Sequence, residues 1–274
     1  MRDLQPLTNA IHMQTAGGGE PTLLFVHGFC CDGSDWSPLI QRLSDRYRCV
    51  AVDLPGHGRS AADTATMTAA GAAVNVAKAR SGSQHVVLVG HSLGTKIVRE
   101  AYRQSSEGVV GMVLVDGSLY VSDRQTMLNN AYAAVAGGMD AFRSALFGRM
   151  FSDGDPLEER DRLINRALGV DREFARALFL DSIEWDTRHA RETIDQLGIP
   201  TMVIQATTFD SQFRWQPLQA DGTTPLIDVM RAAVADFEAV IVPGAGHFVM
   251  TKAPDATADA LARFAARLAP TGGA

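Results

Sequence analysis

The sequence predicts an α/β fold in which a mostly parallel central sheet is covered by helices on both faces. Short apolar runs, such as those at residues 22–26 and 85–89, alternate along the chain with segments of helical spacing. These runs are apolar at nearly every position, which is typical of strands buried on both faces of a parallel sheet. The chain has 274 residues, of which 46% are hydrophobic, so it can bury one sizeable core.

Each element of the N-terminal part follows from its own local pattern. A first strand is predicted at residues 11–14. Largely apolar runs predict further strands at residues 22–26, 48–53, 85–89 and 109–116. The first helix is predicted at residues 36–43, where apolar residues recur at i, i+3, i+4 and i+7. An alanine-rich segment at residues 67–80 predicts a second helix, and the apolar face of the segment after residue 92 predicts a third.

The alternation of strands and helices stops after residue 117. Roughly eighty residues follow without a convincing strand, and a structureless loop of that length is improbable in a compact domain. Segments with helical spacing and charged faces occupy residues 124–136, 140–151, 157–168 and 172–183. We therefore predict a helical cap at residues 118–198, inserted after the strand at 109–116, which we count as the sixth. The remaining core, residues 1–117 and 199–274, is completed by strands at 200–206 and 239–243 and a helix at 255–268.

Composition and charge argue against several classes of protein. The formal net charge is -6 and the positive side chains are scattered, so neither a nucleic acid nor a membrane is an expected partner. The longest apolar runs have the length of strands, and residues 1–15 contain no apolar run that could be a signal peptide. Cys30, Cys31 and Cys49 form a poor disulfide set because their number is odd and two are adjacent. A cytoplasmic protein with reduced thiols, either a monomer or a homodimer, is therefore expected.

The sequence contains no metal-ligand spacing such as His-x-x-x-His or Cys-x-x-Cys, and its glycine-rich turns lack the dinucleotide-binding fingerprint. We therefore expect neither a metal nor a cofactor.

The pentapeptide Gly-His-Ser-Leu-Gly at residues 90–94 lies between a predicted buried strand and a predicted helix. That context predicts a nucleophile elbow, a strained turn that presents a serine hydroxyl at the C-terminal edge of a parallel sheet. The two glycines remove side chains that would block the close approach of strand and helix. Ser92 is therefore the candidate nucleophile. The alternative is a serine that only caps the helix, a role that does not require both glycines.

A serine hydroxyl needs a base to remove its proton, and His247 is the candidate for that role. It follows the last predicted strand and a Gly-x-Gly turn at residues 244–246, so a flexible loop can return its imidazole to Ser92. Histidine titrates in the range that suits proton transfer near neutral pH. The alternative is an ordinary histidine in a surface loop.

The order of four sequence motifs resembles that of the α/β-hydrolase family over nearly the whole chain. The motifs are HGF at residues 27–29, DLPGHGRS at 53–60, GHSLG at 90–94 and GAGH at 244–247. The resemblance implies a serine hydrolase that cleaves a carboxylic ester or lactone through an acyl-enzyme intermediate. It also implies that the backbone N–H groups of Phe29 and Leu93 bind the oxyanion.

A third group must orient the histidine, and two carboxylates compete for this role. Asp210 follows the strand after which many members of the family place their acid, but it lies one residue late in the usual spacing. Asp116 ends the strand at 109–116, a position that some related hydrolases use, and Gly117 follows it. We favour Asp116 because a strand end holds a side chain more rigidly than a polar loop, and Asp210 stays the alternative.

Aromatic side chains of the core and cap are the candidates for a substrate pocket. We expect Phe29, Trp36, Trp185 and Trp215 to line it. Other chemistry on similar scaffolds also stays open, namely hydrolysis of carbon–carbon or amide bonds and haloperoxidase-like perhydrolysis, because a fold does not select a reaction. A ligand-binding protein with little turnover is a further alternative.

Overall fold

The computed structural model describes residues 11–62, 66–80, 83–119, 123–151, 155–210 and 213–270. In chain order its strands are β1 (Met13–Ala16), β2 (Thr22–Val26), β3 (Cys49–Val52), β4 (Val86–His91), β5 (Val109–Val115), β6 (Thr201–Gln205), β7 (Thr207–Phe209), β8 (Trp215–Pro217) and β9 (Phe237–Ile241). Seven of them form one sheet in the order β1-β3-β2-β4-β5-β6-β9, and β7 and β8 form a separate hairpin.

The helices follow the same chain order and flank the sheet. They are α1 (Ser37–Leu43), α2 (Ala69–Ala79), α3 (Leu93–Gln104), α4 (Arg124–Ala134), α5 (Met139–Gly148), α6 (Leu157–Gly169), α7 (Arg172–Asp195), α8 (Pro225–Ala233), α9 (Val249–Lys252) and α10 (Pro254–Ala266). A 3₁₀ turn, Gly33–Trp36, precedes α1. None of the described helices is both long enough and apolar enough to cross a lipid bilayer.

The sheet has the mostly parallel architecture that the sequence predicts. Only β1 is antiparallel to its neighbour β3, and every other adjacent pair in this sheet is parallel. All residues of β2, β3, β4 and β6 are buried, as expected for strands covered on both faces. The predicted fold class is therefore confirmed.

The register of the sheet brings the ends of several strands to one edge. His91 pairs with Val115, so β4 and β5 end level, and the last residues of β6 and β9 also pair with each other. Ser92 and Asp116 are the residues that directly follow β4 and β5. The loop after β9 leads to His247, so the topology places all three candidate residues at the C-terminal edge of the sheet.

Helices α4 to α7, which we call the cap helices, occupy the chain between β5 and β6. The cap is predicted after a sixth strand, whereas in the structure it follows β5, the fifth of the described strands. Helix α7 continues to Asp195, twelve residues beyond the predicted end at 183. The hairpin of β7 and β8 and the helix α8 were not predicted. The domain boundaries at residues 117 and 198 stay a prediction.

Buried ion pairs attach the cap helices to the core. Arg166 of α6 donates hydrogen bonds of 2.8 Å to both carboxylate oxygens of Asp35 in the 3₁₀ turn. Lys96 of α3 forms an ion pair of 2.5 Å with Asp186 of α7, and their side chains are only 6% and 2% exposed. Breaking a buried pair leaves one charge uncompensated at high cost, so these contacts fix α6 and α7 over the sheet edge.

Candidate active site

Ser92 occupies the strained turn that the elbow motif predicts. Its backbone angles are φ 52° and ψ −116°, between the end of β4 and the start of α3. A Cβ atom on Gly90 would collide with the carbonyl of Gly94, and one on Gly94 would collide with the carbonyl of Val26. Both glycines are therefore required by the close contact of strand and helix. The Ser92 side chain makes no capping hydrogen bond to α3, which argues against the capping alternative.

Asp116 and His247 form a buried hydrogen-bonded pair. Asp116 Oδ2 lies 2.8 Å from His247 Nδ1, and the two residues are 3% and 2% exposed. Because a carboxylate can only accept, Nδ1 donates its proton in this pair. The other ring nitrogen, Nε2, is then the one that can accept a proton from a nucleophile.

The Asp116 carboxylate is fixed by β6 and the hairpin that follows it. Its Oδ1 accepts hydrogen bonds of 2.8 Å from the backbone N–H groups of Ala206 and Thr207. Its Oδ2 also accepts one of 2.5 Å from the Thr207 hydroxyl. Asp116 itself has a positive φ of 44°, which aims the side chain across the strand ends. No sequence motif marks Thr207, because its role depends on where β6 lies beside β5.

The structure places the alternative acid, Asp210, in a different environment. Its Oδ2 accepts a hydrogen bond of 2.7 Å from Arg214 Nε, and its Oδ1 accepts one of 3.0 Å from the Arg214 backbone. These bonds close the turn between β7 and β8. Of the two candidate acids, Asp116 is the one that the structure brings to His247.

Ser92 and His247 line the same cavity. In the described part of the chain no hydrogen bond joins the Ser92 hydroxyl to the His247 ring. Such bonds are often long in enzymes without substrate and shorten when substrate binds, so the arrangement is compatible with proton transfer.

The predicted oxyanion donors lie beside Ser92. A Cβ atom added to Gly28 would lie only 3.2 Å from the Cβ of Ser92, so the loop that follows β2 packs directly against the candidate nucleophile. Within the described ranges, neither the Phe29 nor the Leu93 N–H group has an acceptor. Both residues line the cavity, and Leu93 N–H is at the N-terminus of α3, where the helix dipole favours negative charge. Two unsatisfied donors beside a nucleophile can bind a developing oxyanion.

Two buried histidines hold the loop that carries Phe29. His27 Nε2 accepts the Leu54 N–H at 2.9 Å, and His57 Nε2 accepts the Cys30 N–H at 3.3 Å. Each Nδ1 lies within hydrogen-bond distance of a backbone carbonyl, so both rings fit the neutral form with Nδ1 protonated. Burial lowers the pKa of His27 to about 3. Burial likewise lowers the pKa of His57 to about 4.

We expect these two histidines to destabilise the fold in acid. In the unfolded chain a histidine takes up a proton near pH 6.5, whereas the folded chain resists protonation down to pH 4 or below. Their contribution is therefore complete above pH 6.5 and falls as the pH decreases, by on the order of 2 kcal/mol for each at pH 5. Urea unfolding at pH 7.5 and pH 5 measures this loss. His57→Gln should reduce the pH dependence. A loss of stability in His57→Gln equal to that in the original protein would contradict the assignment.

The cavity above Ser92 is largely apolar and encloses about 670 Å³ of empty space, part of which is open to solvent. Phe29 and Trp215 line it, as the sequence analysis expects. The Trp215 ring lies 3.9 Å from the His247 ring between centroids. Further apolar side chains come from α5 and the residues just after it, from α7, and from the loop that carries His247: Leu146, Phe147, Met150, Phe179, Ile183 and Phe248.

The expectation that Trp36 and Trp185 line the pocket was wrong. Trp36 is completely buried under the sheet edge, where its ring packs 5.0 Å from Phe25. The Trp185 indole donates a hydrogen bond of 2.9 Å to Glu100 Oε2, which directs it away from the cavity. Both rings serve the packing of helices on the core, a role that composition cannot distinguish from lining a pocket.

The cysteines are free and buried. Burial raises the pKa of Cys30 to about 12, and the pKa of Cys31, which lines the cavity, is raised well above its usual value for the same reason. Neither thiol is therefore suited to act as a nucleophile at neutral pH. Within the residues that the structure describes, no three His, Cys, Asp or Glu side chains form a group that could hold a metal ion.

Comparisons with known proteins identify the relatives of this chain. A family model described as "Alpha/beta hydrolase family" matches residues 23–260. The chain is 25% identical to 2-(acetamidomethylene)succinate hydrolase of Mesorhizobium japonicum over 265 residues, which cover 90% of this chain and 88% of that protein. It is 36% identical to pimeloyl-(acyl-carrier protein) methyl ester esterase of Methylococcus capsulatus over 110 residues, 39% of this chain and 41% of that protein. Several of the curated relatives are thus matched over less than half of their length.

Among solved structures, the chain is similar to a thermophilic esterase from Thermogutta terrifontis. The TM-score is 0.75 with 20% sequence identity, and the match covers 94% of this chain and 93% of that one. Identity this low supports the fold rather than a particular reaction.

Proposed function

The chain belongs to the α/β-hydrolase family, and we propose that it is a serine hydrolase that cleaves a carboxylic ester or lactone. The observation that carries this proposal is the buried hydrogen bond of 2.8 Å between Asp116 and His247 in the cavity that Ser92 also lines. Nucleophile, base and orienting carboxylate are the three groups that acyl transfer requires. The esterase names among the relatives support the same class of reaction.

In the first half of the reaction, Ser92 Oγ attacks the carbonyl carbon of the ester while His247 Nε2 takes the hydroxyl proton. The carbonyl oxygen becomes an oxyanion, which accepts hydrogen bonds from the N–H groups of Phe29 and Leu93. Asp116 stabilises the imidazolium that forms on His247. The bond between the carbonyl carbon and the alcohol oxygen then breaks, and the alcohol leaves with the proton from His247.

In the second half, water replaces the alcohol. His247 takes a proton from the water as its oxygen attacks the acyl carbon, and the same two N–H groups bind the second oxyanion. The bond to Ser92 Oγ breaks and Oγ recovers its proton from His247, which releases the carboxylic acid. For a lactone, the alcohol freed in the first half remains part of the acyl chain, because both belong to one ring, and this second step releases a hydroxy acid.

The lining of the cavity favours an apolar substrate. Most of the lining surface near the serine is aromatic or aliphatic, and α7 contributes Phe179 and Ile183 to it. Burial of apolar substrate surface against these groups supplies binding energy of about 25 cal/mol for each Å². We therefore propose an ester with an apolar acyl or alcohol group.

A serine-directed phosphonate tests the proposed nucleophile directly. We expect one equivalent of a p-nitrophenyl phosphonate to bind covalently to Ser92 and abolish hydrolysis of p-nitrophenyl esters, because only an activated serine displaces the nitrophenolate. Peptide mapping by mass spectrometry locates the label. The Ser118→Ala variant, altered at another serine that lines the cavity, should be labelled as fast as the original protein. A folded protein that stays unlabelled at Ser92 would overturn the proposal.

A further inference from the structure

We propose that His91 is a positioning residue that ties the backbone of the candidate base to the nucleophile elbow. This inference rests on the proposed function, because it assigns His91 a part in aligning His247 with Ser92. His91 directly precedes Ser92 in the chain and is completely buried. Its Nε2 lies 2.9 Å from the backbone carbonyl oxygen of His247.

The chemistry of this contact requires a neutral His91 that is protonated on Nε2. A carbonyl oxygen can only accept, so Nε2 must carry the proton. Burial holds the pKa of His91 well below its usual value, which keeps the ring neutral. Its Nδ1 is buried and has no hydrogen-bond partner among the described residues. The bond to His247 is therefore the one polar contact that this ring makes there.

The His247 backbone depends on this tie because it has no other hydrogen-bonded support among the described residues. Gly244 and Gly246 both have positive φ angles, 76° and 66°, so the loop is built from glycine conformations. Within the described part of the chain, no other hydrogen bond reaches the backbone N–H or carbonyl of His247. Asp116 orients the ring at Nδ1, but a hydrogen bond at one ring atom still allows the ring to swing with its backbone.

The two imidazole rings also pack against each other. Their centroids are 4.5 Å apart at an interplanar angle of 44°, and Trp215 contacts His247 as well. His91 thus fixes His247 through its backbone and through its ring. Because His91 and Ser92 are adjacent residues, the same contact sets the distance between base and nucleophile. A displacement of about 1 Å at such a site can lower a rate by about 10²-fold.

The experiment compares three replacements of His91 that differ in where they place a donor. The amide nitrogen of Gln can reach the position of Nε2, the amide nitrogen of Asn mimics Nδ1 instead, and Phe keeps a ring without a donor. Trp36→Phe is the matched control, since Trp36 is equally buried and lies 6.3 Å from the His91 ring. Melting temperatures identify variants that fail to fold.

The first measurement is the rate of phosphonate labelling at Ser92, together with kcat and KM for one p-nitrophenyl ester. We expect His91→Phe and His91→Asn to lower the labelling rate and kcat by about 10- to 100-fold at nearly unchanged KM. His91→Gln should recover most of the loss. A lower melting temperature with full labelling, or equal loss in the Gln and Phe variants, would overturn the proposal.

The second measurement does not depend on activity. Hydrogen–deuterium exchange of residues 244–252 should become at least several-fold faster in His91→Phe and stay unchanged in Trp36→Phe. An unchanged exchange rate in His91→Phe would contradict the proposal that His91 holds the loop that carries His247. If the original protein is not labelled at Ser92, the proposed hydrolase function fails, and the exchange experiment still decides whether His91 holds the loop.

Discussion

Replacing Ser92 with alanine is expected to lower kcat about 10⁶-fold, the largest effect that we predict. The substitution removes the only atom that forms the proposed acyl-enzyme, while the oxyanion donors and the cavity stay in place. KM should therefore change little. The fold should persist, because the Ser92 side chain makes no capping bond and its backbone bond to Val115, 3.0 Å long, does not involve the hydroxyl.

The measurement is p-nitrophenyl ester hydrolysis under saturating substrate, with the melting temperature recorded for each protein. Ser118→Ala controls for loss of a hydroxyl from the same cavity and should keep kcat within a few-fold of the original protein. A Ser92→Ala protein that turns over at a tenth of the original rate would exclude an acyl-enzyme on this residue.

Much of the fold could be predicted because its signals are local. Continuous apolar runs marked the strands, and parallel pairing follows from helices that connect them. The nucleophile elbow could be predicted because Gly90 and Gly94 are so crowded by neighbouring backbone that no side chain fits at either position. Both positions must therefore be glycine, and the sequence shows this directly. Ser92 could be proposed because it lies at the centre of this motif directly after a strand, and His247 because it follows the Gly-x-Gly turn that comes after the last strand.

The features that were not predicted depend on contacts between distant segments. Strands β7 and β8 have three residues each, too few to show a period, and their pairing places Trp215 against His247. The burial of Trp36 and Trp185 depends on how helices pack on the core. The tie between His91 and His247 joins residues 156 positions apart, and no spacing in the sequence could indicate it.

The choice between Asp116 and Asp210 was open in the sequence for a related reason. Both carboxylates come after predicted strands, and sequence spacing cannot tell which one reaches the histidine. In the structure, Asp116 receives two backbone N–H groups and the Thr207 hydroxyl, which together hold its Oδ2 toward His247. Asp210 is instead bound by Arg214.

The different surroundings of Asp116 and Asp210 predict that Asp116→Asn lowers kcat about 10⁴-fold, as loss of the triad aspartate does in serine proteases. An amide N–H facing Nδ1 would favour the tautomer of His247 that is protonated on Nε2, and that nitrogen could no longer accept the Ser92 proton. Asp210→Asn is the matched control. It removes a charge from a surface turn, so kcat should stay within a few-fold. Parallel measurement of both variants separates the two candidates. A normal kcat in Asp116→Asn together with a strongly reduced kcat in Asp210→Asn would contradict the proposed mechanism, which depends on the pair of Asp116 and His247. In that case the β7–β8 hairpin would have to move Asp210 to His247 during turnover.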